Sequence, residues 1–597
     1  MAVVLAGLNG CWPSRWDGAY NLYQGRCHYD RGVNEQPLAV TARIPASLSA
    51  QVDDGLALAG EAQVGERLRL RDATLWGAAG TPEIANRLGW LTIAERMLGE
   101  LDAVEGFVQE VRREGFEDVV LLGMGGSSLA PEVLRRSFGH RSGHPRLHVL
   151  DSTDAAAIGA VQQAVDRSGI GQQRTLFIVS SKSGGTIEPL SLFARFYRSE
   201  IGQLDGDGAR FVAITDPGSG LAQLAGKDRF RRTFLGDPDI GGRYSALSPF
   251  GIVPAALIGV DVRGLLEGAQ GAWQTAIAAA SGGEGSAPAA SKHTAAVWLG
   301  AALSALARAG RDKLTFLISE SLPGLGLWLE QLVAESTGKH ATGILPVAEE
   351  PVGAPEVYGE DRVFAHLPDL GAPDPELDAR VLALARAGHP VITIPTSGPA
   401  DLGRVFMLAE LSVAVAGWGL QINPFDQPNV QQAKDATKRV LADYEASHRL
   451  PEAQDADEQA LRTLLLDSTP PEYVAIMAYA QPSAELDAAA AALRTAIRAA
   501  TRATTTFGYG PRFLHSTGQF HKGGPRTGRF LQLLHDGPAD VAIPGAPYTF
   551  TTLKNAQAIG DLNTLRELGR PAERVRLQGE DPVGAMRALT ARIKEST

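Results

Sequence analysis

A segment rich in hydroxyl side chains, SSKSGGTIEP at 180–189, directly follows an apolar run of the chain. It places Ser181, Ser183 and Thr186 within six residues of one another. Hydroxyls and backbone N–H groups suit a phosphomonoester, whose three outer oxygens all accept hydrogen bonds. An ordinary helix cap requires only one hydroxyl, so three in one turn favour a phosphate site over a simple cap.

A second turn of this kind, GMGGSS at 123–128, follows an earlier apolar run. Its glycines permit close approach to the backbone, its two serines are expected to cap the next helix, and the free N–H groups there would attract an anion. Gly123 and Gly125 also match the dinucleotide fingerprint, although Ser128 replaces its third glycine and Asp151 would be the ribose acid. A nicotinamide-dependent dehydrogenase is therefore an alternative for this turn. The two turns together favour a small phosphorylated ligand at the carboxyl edge of a sheet.

The elements that must hold these turns have the pattern of buried parallel strands. From about residue 86, short apolar runs alternate with longer helical patterns, which is the signature of βαβ units. The predicted fold class is α/β, with two doubly wound parallel-sheet domains that carry helices on both faces and a C-terminal α/β region. The predicted strands lie at 118–124, 146–152, 175–181, 210–216, 313–319, 361–367, 390–395, 419–425, 472–479, 528–534 and 573–577.

Shifts in composition divide the chain into four parts. The opening stretch is irregular, SGGEGSAPAAS at 281–291 has the composition of a linker, and 446–470 is polar. Helices are expected at 484–502 and 550–568. The expected parts are an N-terminal extension with a helical lead-in at 1–85, a first domain at 86–270, a second domain at 271–445 and the C-terminal α/β region at 446–597.

The overall composition limits the partners of the protein. The formal net charge of −11 argues against a nucleic acid or an anionic membrane as the main partner. No stretch reaches 18 apolar residues, so no membrane span is expected. Cys11 and Cys27 are the two cysteines, which leaves no disulfide framework in the main body and suits a reducing cytoplasm. His515 and His521 make a poor ligand pair, so neither a metal nor another cofactor is expected.

Five motifs, in order along the chain, resemble those of the sugar isomerase domain and, more closely, of the glucose-6-phosphate isomerase family. They are GMGGSS, SKSGGT, GGRYSALSPFG at 241–251, EQLVAESTGK at 330–339 and INPFDQPNVQQAK at 422–434. The resemblance covers roughly residues 86 to 445, and the last three motifs are specific to the isomerase. It implies an aldose–ketose isomerase of glycolysis and gluconeogenesis that interconverts glucose 6-phosphate and fructose 6-phosphate through a cis-enediol.

The resemblance also implies roles for individual residues. The implied substrate- and phosphate-binding residues are Gly126, Ser127, Ser181, Lys182 through its backbone, Ser183, Thr186, Gly242 and Gln427. The implied catalytic residues are Glu335, Arg243, Lys434 and His515. Glu335 would move the proton, and Lys434 and His515 would help to open the sugar ring.

The chemistry of isomerisation agrees with Glu335 as the base. A carboxylate with a raised pKa is well suited to remove the proton on C2 and return it to C1 near neutral pH. In the helix LWLEQLVAES, Trp328 and Leu332 place Glu335 on the apolar stripe, where burial would raise its pKa. The alternative is a structural glutamate before the helix end at Gly338. Glu330, on the same helix, is expected to be an ordinary solvated glutamate.

The remaining catalytic candidates also have suitable chemistry. Negative charge develops on the oxygens at C1 and C2 of the enediol, and Arg243 between glycine and tyrosine would supply a fixed cation there. Its alternative role is to bind a neighbouring carboxylate. Lys434 follows Gln427 by seven residues, which is two turns of helix, so both are expected on one helix face. The alternative for Lys434 is a surface lysine.

The histidine motif departs from the family order. In the family, the ring-opening histidine lies between the glutamate helix and the glutamine–lysine segment, but here the similar string LHSTGQFHKGG lies at 514–524. This order resembles the isomerase half of transaldolase–phosphoglucose isomerase fusions. It makes His515 the candidate and requires the C-terminal region to fold back. In the family this histidine often comes from a partner subunit, so a homodimer is considered, and a structural histidine is the alternative.

Two further functions are compatible with these motifs. A phosphosugar-binding regulatory protein would use the same turns without turnover, although the combination of Glu335, Arg243, Gln427 and Lys434 argues against it. A dual isomerase would act on mannose 6-phosphate as well as glucose 6-phosphate. In each case the partner is a small sugar phosphate.

Overall fold

The computed structural model describes residues 20–25, 38–166, 174–197, 208–278, 293–538 and 540–595, so Cys11 and Cys27 lie outside the described residues. The strands are β1 Tyr20–Gly25, β2 Val40–Pro45, β3 Asp118–Gly123, β4 Arg146–Leu150, β5 Thr175–Ser180, β6 Phe211–Thr215, β7 Arg232–Leu235, β8 Lys313–Ile318, β9 Leu345–Val347, β10 Arg362–Leu367, β11 Val391–Thr393, β12 Tyr473–Tyr479, β13 Thr504–Tyr509, β14 Gly528–Leu534 and β15 Ala572–Arg576. The helices are α1 Ala46–Glu61, α2 Val64–Arg69, α3 Ile93–Arg113, α4 Leu129–Phe138, α5 Ala155–Asp166, α6 Ile187–Tyr197, α7 Gly220–Lys227, α8 Pro249–Leu257, α9 Val262–Ala278, α10 Ala295–Arg308, α11 Leu325–Thr337, α12 Pro375–Arg386, α13 Leu402–Gly419, α14 Val430–Ser447, α15 Glu458–Leu466, α16 Ala484–Thr501, α17 Gly518–Gly523, α18 Phe550–Glu567 and α19 Pro582–Glu595.

The first sheet is fully parallel, with the strand order β4-β3-β5-β6-β7. Along β3, Val119 and Leu121 belong to one apolar cluster, whereas Val120 and Leu122 belong to another. Strands buried on both faces in this way require helices on both sides, which explains why their sequences are continuously apolar. The predicted doubly wound α/β fold is confirmed.

The second sheet has the order β1-β2-β11-β10-β8-β9. Strands β8 to β11 pair in parallel, and β2 adds antiparallel to β11, so the N-terminal segment contributes an edge to this sheet. The strand predicted at 419–425 is wrong, because α13 ends at Gly419 and the following residues are irregular. Leu420, Ile422 and Phe425 are buried, so the apolar character of this segment reflects a packed turn.

The third sheet, with the order β13-β12-β14-β15, is also fully parallel. Strands predicted at 472–479, 528–534 and 573–577 correspond to β12, β14 and β15, whereas the threonine-rich β13 was not predicted. An apolar cluster joins Ala334 of α11 and Leu345 of β9 to Tyr473 and Phe520 of the C-terminal region. This shared core folds the C-terminal region back onto the second domain.

The most apolar long helix of the described chain is α13. The segment Pro399–Gly419 is long and apolar enough to cross a membrane by length and composition, but 83% of its apolar window is buried inside the protein. It packs against α10 and α9. Its composition is therefore that of a core helix.

Candidate active site

The two hydroxyl-rich turns begin side by side. Gly123 at the end of β3 pairs in register with Ser180 at the end of β5, so both turns leave the same edge of the first sheet. Ser181 Oγ donates to Thr186 Oγ1 at 3.1 Å, and Ser183 is exposed. The Lys182 ammonium donates to both carboxylate oxygens of Asp216, at 2.7 and 2.6 Å. Because this side chain is committed to a salt bridge, the backbone of Lys182 is the part available to a ligand.

The glycines of the first turn allow it to touch the arginine segment. A Cβ atom on Gly126 would lie only 2.0 Å from the carbonyl oxygen of Gly242, so a side chain is excluded there. Ser127 next to it is buried. The expectation that the serines cap α4 is wrong, since the helix begins without a side-chain cap and the Ser128 hydroxyl donates to the Gly125 carbonyl. The turn is held by its own hydrogen bonds and by packing, and not by a side-chain cap of the helix.

Asp151, the candidate ribose acid, has a different role. Its two carboxylate oxygens each accept a hydrogen bond from the Arg512 guanidinium, both at 2.7 Å, and Ser128 Oγ donates to it at 3.2 Å. A bidentate arginine saturates a carboxylate. The residue therefore ties the first domain to the C-terminal region, which removes the main support for a dinucleotide site.

Glu335 lies in a buried position at the end of α11. Trp328 and Leu332 on the same helix are also buried, as the apolar stripe predicts. Burial raises the pKa of Glu335, and the nearby Arg243 and His515 partly offset that effect. Glu335 Oε2 lies 3.5 Å from Nη1 of Arg243. The site therefore combines a carboxyl group with a high proton affinity and a fixed cation beside it.

Arg243 is only 1% exposed and is oriented from several sides. Its Nε donates to Ser336 Oγ at 2.9 Å, and its Nη1 donates to Gln427 Oε1 at 2.8 Å. Its Nη2 donates to the carbonyl oxygens of Pro424 and Asp426, at 2.5 and 3.0 Å. Because most of its donors are directed by neutral acceptors, the guanidinium keeps its position without being neutralised by one tight carboxylate pair.

The C-terminal region brings His515 to the same site. A short 3-10 helix over Arg512–His515 carries it, and its Nε2 lies 2.9 Å from Oε1 of Glu188. Glu188 also accepts a hydrogen bond from Gln557 Nε2 at 2.7 Å. Burial by itself would raise the pKa of Glu188, but His515, a backbone hydrogen bond and Lys434 together outweigh it, and the net effect is a lowered pKa. A charged carboxylate therefore holds the imidazole in place.

Sequence reasoning missed Glu188 and Gln331 as parts of the site. Gln331 Nε2 donates to the carbonyl oxygen of His515 at 2.7 Å, which joins α11 to the histidine segment. It lies one helical turn before Glu335, so its spacing could have revealed it. Glu188 gave no such signal, because its partner is 327 residues away in the chain.

The glutamine–lysine segment is arranged differently from the prediction. Gln427 lies in the loop before α14, which begins at Val430, so it does not share a helix face with Lys434 as predicted. Lys434 is exposed on α14 and close enough to Glu188 to help lower its pKa. The loop is fixed by Lys339, whose Nζ donates to Asn423 O at 2.6 Å and to Asp426 Oδ1 at 2.7 Å.

Lys339 is a further titratable group that the sequence did not single out. Burial, followed by repulsion from Arg243, lowers its pKa to about 7. The hydrogen-bond acceptors of the 423–426 loop therefore stabilise the charged form of Lys339.

The expectation that Glu330 is solvated is wrong. Its side chain is 5% exposed, and one carboxyl oxygen accepts the Ala348 N–H at 3.2 Å. Burial raises its pKa to about 8, with Arg494 acting in the opposite direction. The reason is tertiary: the C-terminal region covers the face of α11 that an isolated helix would expose to water.

The fold and the site define a sugar isomerase-type α/β protein, and the comparisons specify its family. A family model described as phosphoglucose isomerase matches residues 101–362. Glucose-6-phosphate isomerase of Rubrobacter xylanophilus is 30% identical over 388 residues, which cover 56% of this chain and 85% of that protein. A protein of the same name from Thermus thermophilus is 30% identical over 394 residues, covering 58% and 90%. The chain belongs to the glucose-6-phosphate isomerase family.

Solved structures share the fold of this chain. A hypothetical protein from Thermus thermophilus has 26% sequence identity and a TM-score of 0.53, covering 67% of this chain and 100% of that one. A glucose-6-phosphate isomerase from Chlamydia trachomatis superposes with a TM-score of 0.56 at 18% identity, covering 68% and 89%, which supports the fold alone. A relation to transaldolase fusions remains a prediction.

Proposed function

We propose that the protein interconverts glucose 6-phosphate and fructose 6-phosphate, with Glu335 as the group that moves the proton between C2 and C1. The observation that carries this proposal is the buried carboxylate 3.5 Å from the buried guanidinium of Arg243. A carboxylate with a raised pKa can both accept and return a proton near neutral pH. The adjacent cation would stabilise the enediol oxygens as they gain negative charge.

The phosphate of the substrate is assigned to the turns at the edge of the first sheet. Ser181, Ser183 and Thr186 supply hydroxyls, and the backbone of Lys182 supplies an N–H group. Gly126, Ser127 and Gly242 would form the wall between this phosphate site and Arg243, since Gly126 and Gly242 are in contact. A phosphate held here would place the sugar carbons towards Glu335.

The ring-opening step is assigned to His515 and Lys434. The imidazole is held by Glu188 at 2.9 Å, which fixes the position of the ring. Such a group can donate a proton to the ring oxygen while a second group accepts one from the C1 hydroxyl. Lys434 lies at the exposed side of the same region and would be that second group. Gln427, which accepts a hydrogen bond from Arg243, would position the substrate.

The decisive experiment replaces Glu335 with glutamine. Glu335→Gln keeps the size of the side chain and removes the base, so turnover should fall by several orders of magnitude while binding of fructose 6-phosphate is kept. A coupled assay in both directions and a direct binding titration measure the two quantities. Glu320→Gln, at an exposed position before α11, is the matched control. Wild-type turnover in Glu335→Gln would remove this residue as the base.

The cellular location and the oligomeric state of the enzyme are also part of the proposal. A cytoplasmic location fits the scarcity of cysteines, and the family resemblance suggests a homodimer. His515 of the same chain already lies within reach of Glu188, so the catalytic set proposed above does not require a partner subunit. Light scattering of the purified protein would determine its oligomeric state.

A further inference from the structure

A cavity of about 300 Å³ lies between α4, α11 and the C-terminal sheet. Its walls include Glu330 of α11, Arg135 of α4, and Arg512 and His521 of the C-terminal region. None of the residues assigned above to catalysis or phosphate binding lines it. A cavity of this volume is at the lower end of the range for small-molecule sites.

Two buried polar side chains in the wall differ in how they are satisfied: His521 has no hydrogen-bond partner among the described residues, and Glu330 has one. His521 is 3% exposed, and neither of its ring nitrogens has a hydrogen-bond partner among the described residues. Glu330 is 5% exposed, and within the described chain it has one hydrogen bond and no salt bridge. Buried polar groups are almost always satisfied, so an unpaired imidazole facing a cavity indicates that a ligand or water supplies its missing partners.

These two groups are both suited to hydroxyls. Burial raises the pKa of Glu330 to about 8 and lowers the pKa of His521 to about 3, so both are neutral near pH 7. A neutral carboxyl group and a neutral imidazole each donate one hydrogen bond and accept another. The hydroxyls of Ser516 and Thr517 line the same cavity. This set matches the alternating donors and acceptors of a polyol.

Two arginines in the cavity wall carry positive charge, in contrast to these neutral groups. Arg512 uses Nε and Nη2 for Asp151, and Arg135 uses Nε and Nη2 for Glu132. In the part of the chain that the structure describes, Nη1 of each donates no hydrogen bond to another residue. Guanidinium groups of this kind bind phosphate oxygens.

We propose that this cavity is a second binding site, which takes a small phosphorylated polyol distinct from the substrate of the candidate active site. The hydroxyls of the ligand bind Glu330 and His521, and its phosphate binds the Nη1 groups of Arg135 and Arg512. The assignment of the cavity rests on its own residues and does not depend on the isomerase reaction.

The cavity shares two walls with the candidate active site. Arg512 and His515 belong to the same short 3-10 helix, so one end of that helix contacts the cavity and the other contacts Glu188. On α11, Glu330 lines the cavity, whereas its neighbour Gln331 bonds the His515 carbonyl. An occupant that orders these walls would change turnover without competing with the substrate.

The test is a count of bound ligand by titration calorimetry with D-glucitol 6-phosphate, a hexitol phosphate that cannot isomerise. Ala484 is exposed at the mouth of the cavity, so Ala484→Trp should block entry without disturbing the core. Ala488→Trp, one turn later on the exposed face of α16, is the matched control. The expected result is one bound equivalent fewer per chain in Ala484→Trp than in the wild type or the control. Equal melting temperatures for the three proteins verify folding.

Two outcomes would overturn the proposal. One is an unchanged count of bound glucitol phosphate in Ala484→Trp. The other is binding of inorganic phosphate to the open cavity of the wild type as tightly as glucitol phosphate, because it would show that the polyol hydroxyls contribute nothing. If the protein proves not to be an isomerase, the loss of one equivalent in Ala484→Trp still tests the cavity. The turnover of Glu335→Gln tests the proposed reaction, and the count of bound glucitol phosphate tests the cavity. Either proposal can therefore be rejected without the other.

Discussion

Helix α11 carries two buried glutamates in very different surroundings. Glu330 and Glu335 are five residues apart, which places them about 140° apart around the helix axis. Glu335 has Arg243 at 3.5 Å and contributions from His515 and Lys339, whereas Glu330 has one backbone hydrogen bond and the more distant Arg494. Burial raises the pKa of both. The comparison shows that burial alone makes a glutamate retain its proton. A fixed cation beside the carboxyl group stabilises the ionised form, so the glutamate can also release its proton.

Among variants that leave Glu335 itself in place, the largest expected effect comes from making the surroundings of Glu335 resemble those of Glu330. Arg243→Ala removes the cation, so kcat/KM should fall by about 10³-fold, as for the loss of a transition-state donor. The pKa of Glu335 should rise further, which moves the acidic limb of the kcat/KM profile to higher pH. Rates measured across pH test both effects, and circular dichroism checks the fold.

A milder variant separates charge from geometry. Arg243→Lys keeps the cation but not the hydrogen bonds to Ser336 and Gln427, so its acidic limb should stay close to that of the wild type while its rate falls. An acidic limb that does not move in Arg243→Ala would show that this guanidinium does not control the protonation of Glu335.

A smaller effect is expected from His515, which acts on Glu335 but not on Glu330. His515→Ala should lower turnover of the closed-ring sugar phosphate by about 10²-fold, at the low end for a general acid. A substrate supplied in its open-chain form should lose much less. Stopped-flow assays with freshly equilibrated and open-chain substrates give the ratio. Equal losses on both forms would reject the ring-opening role, and Glu188→Gln should reproduce the pattern more weakly.

The smallest expected effect on turnover is that of Glu330, and its readout is stability. Its folded pKa of about 8 exceeds the usual 4.5, so the folded state binds more protons between these values and stability falls as pH rises through that window. Glu330→Gln cannot ionise and should therefore gain stability relative to the wild type from pH 5 to pH 8. The gain should approach about 1.4 kcal/mol for each unit of pKa displacement.

Denaturant titrations at several pH values measure this gain. Glu320→Gln, which is exposed, should show no such trend. A constant difference between Glu330→Gln and wild type over the window would mean that Glu330 is ionised in the folded protein, and the contrast with Glu335 would then be lost.

Features that depend on neighbouring residues were predictable from the sequence. The apolar runs of β3 and β5 and the glycine- and serine-rich turns after them form where expected, because strand and turn propensities are local. Segment 419–425 and strand β13 were misjudged, since short apolar or threonine-rich stretches do not by themselves distinguish a strand from a packed turn. The sequence placed Gln427 and Lys434 on one helix, but the helix begins only after Gln427.

The sequence by itself determined the βαβ order, the hydroxyl turns and the carboxylate on the apolar stripe of α11, because these follow from the spacing of residues along a few turns of chain. Only the tertiary structure decided which charges meet. The contact between Arg243 and Glu335 spans 92 residues, and that between His515 and Glu188 spans 327. It also decided that the C-terminal region buries Glu330. Burial and charge partners depend on which surfaces pack together, and the local pattern of a single helix contains no information about the surface that covers it.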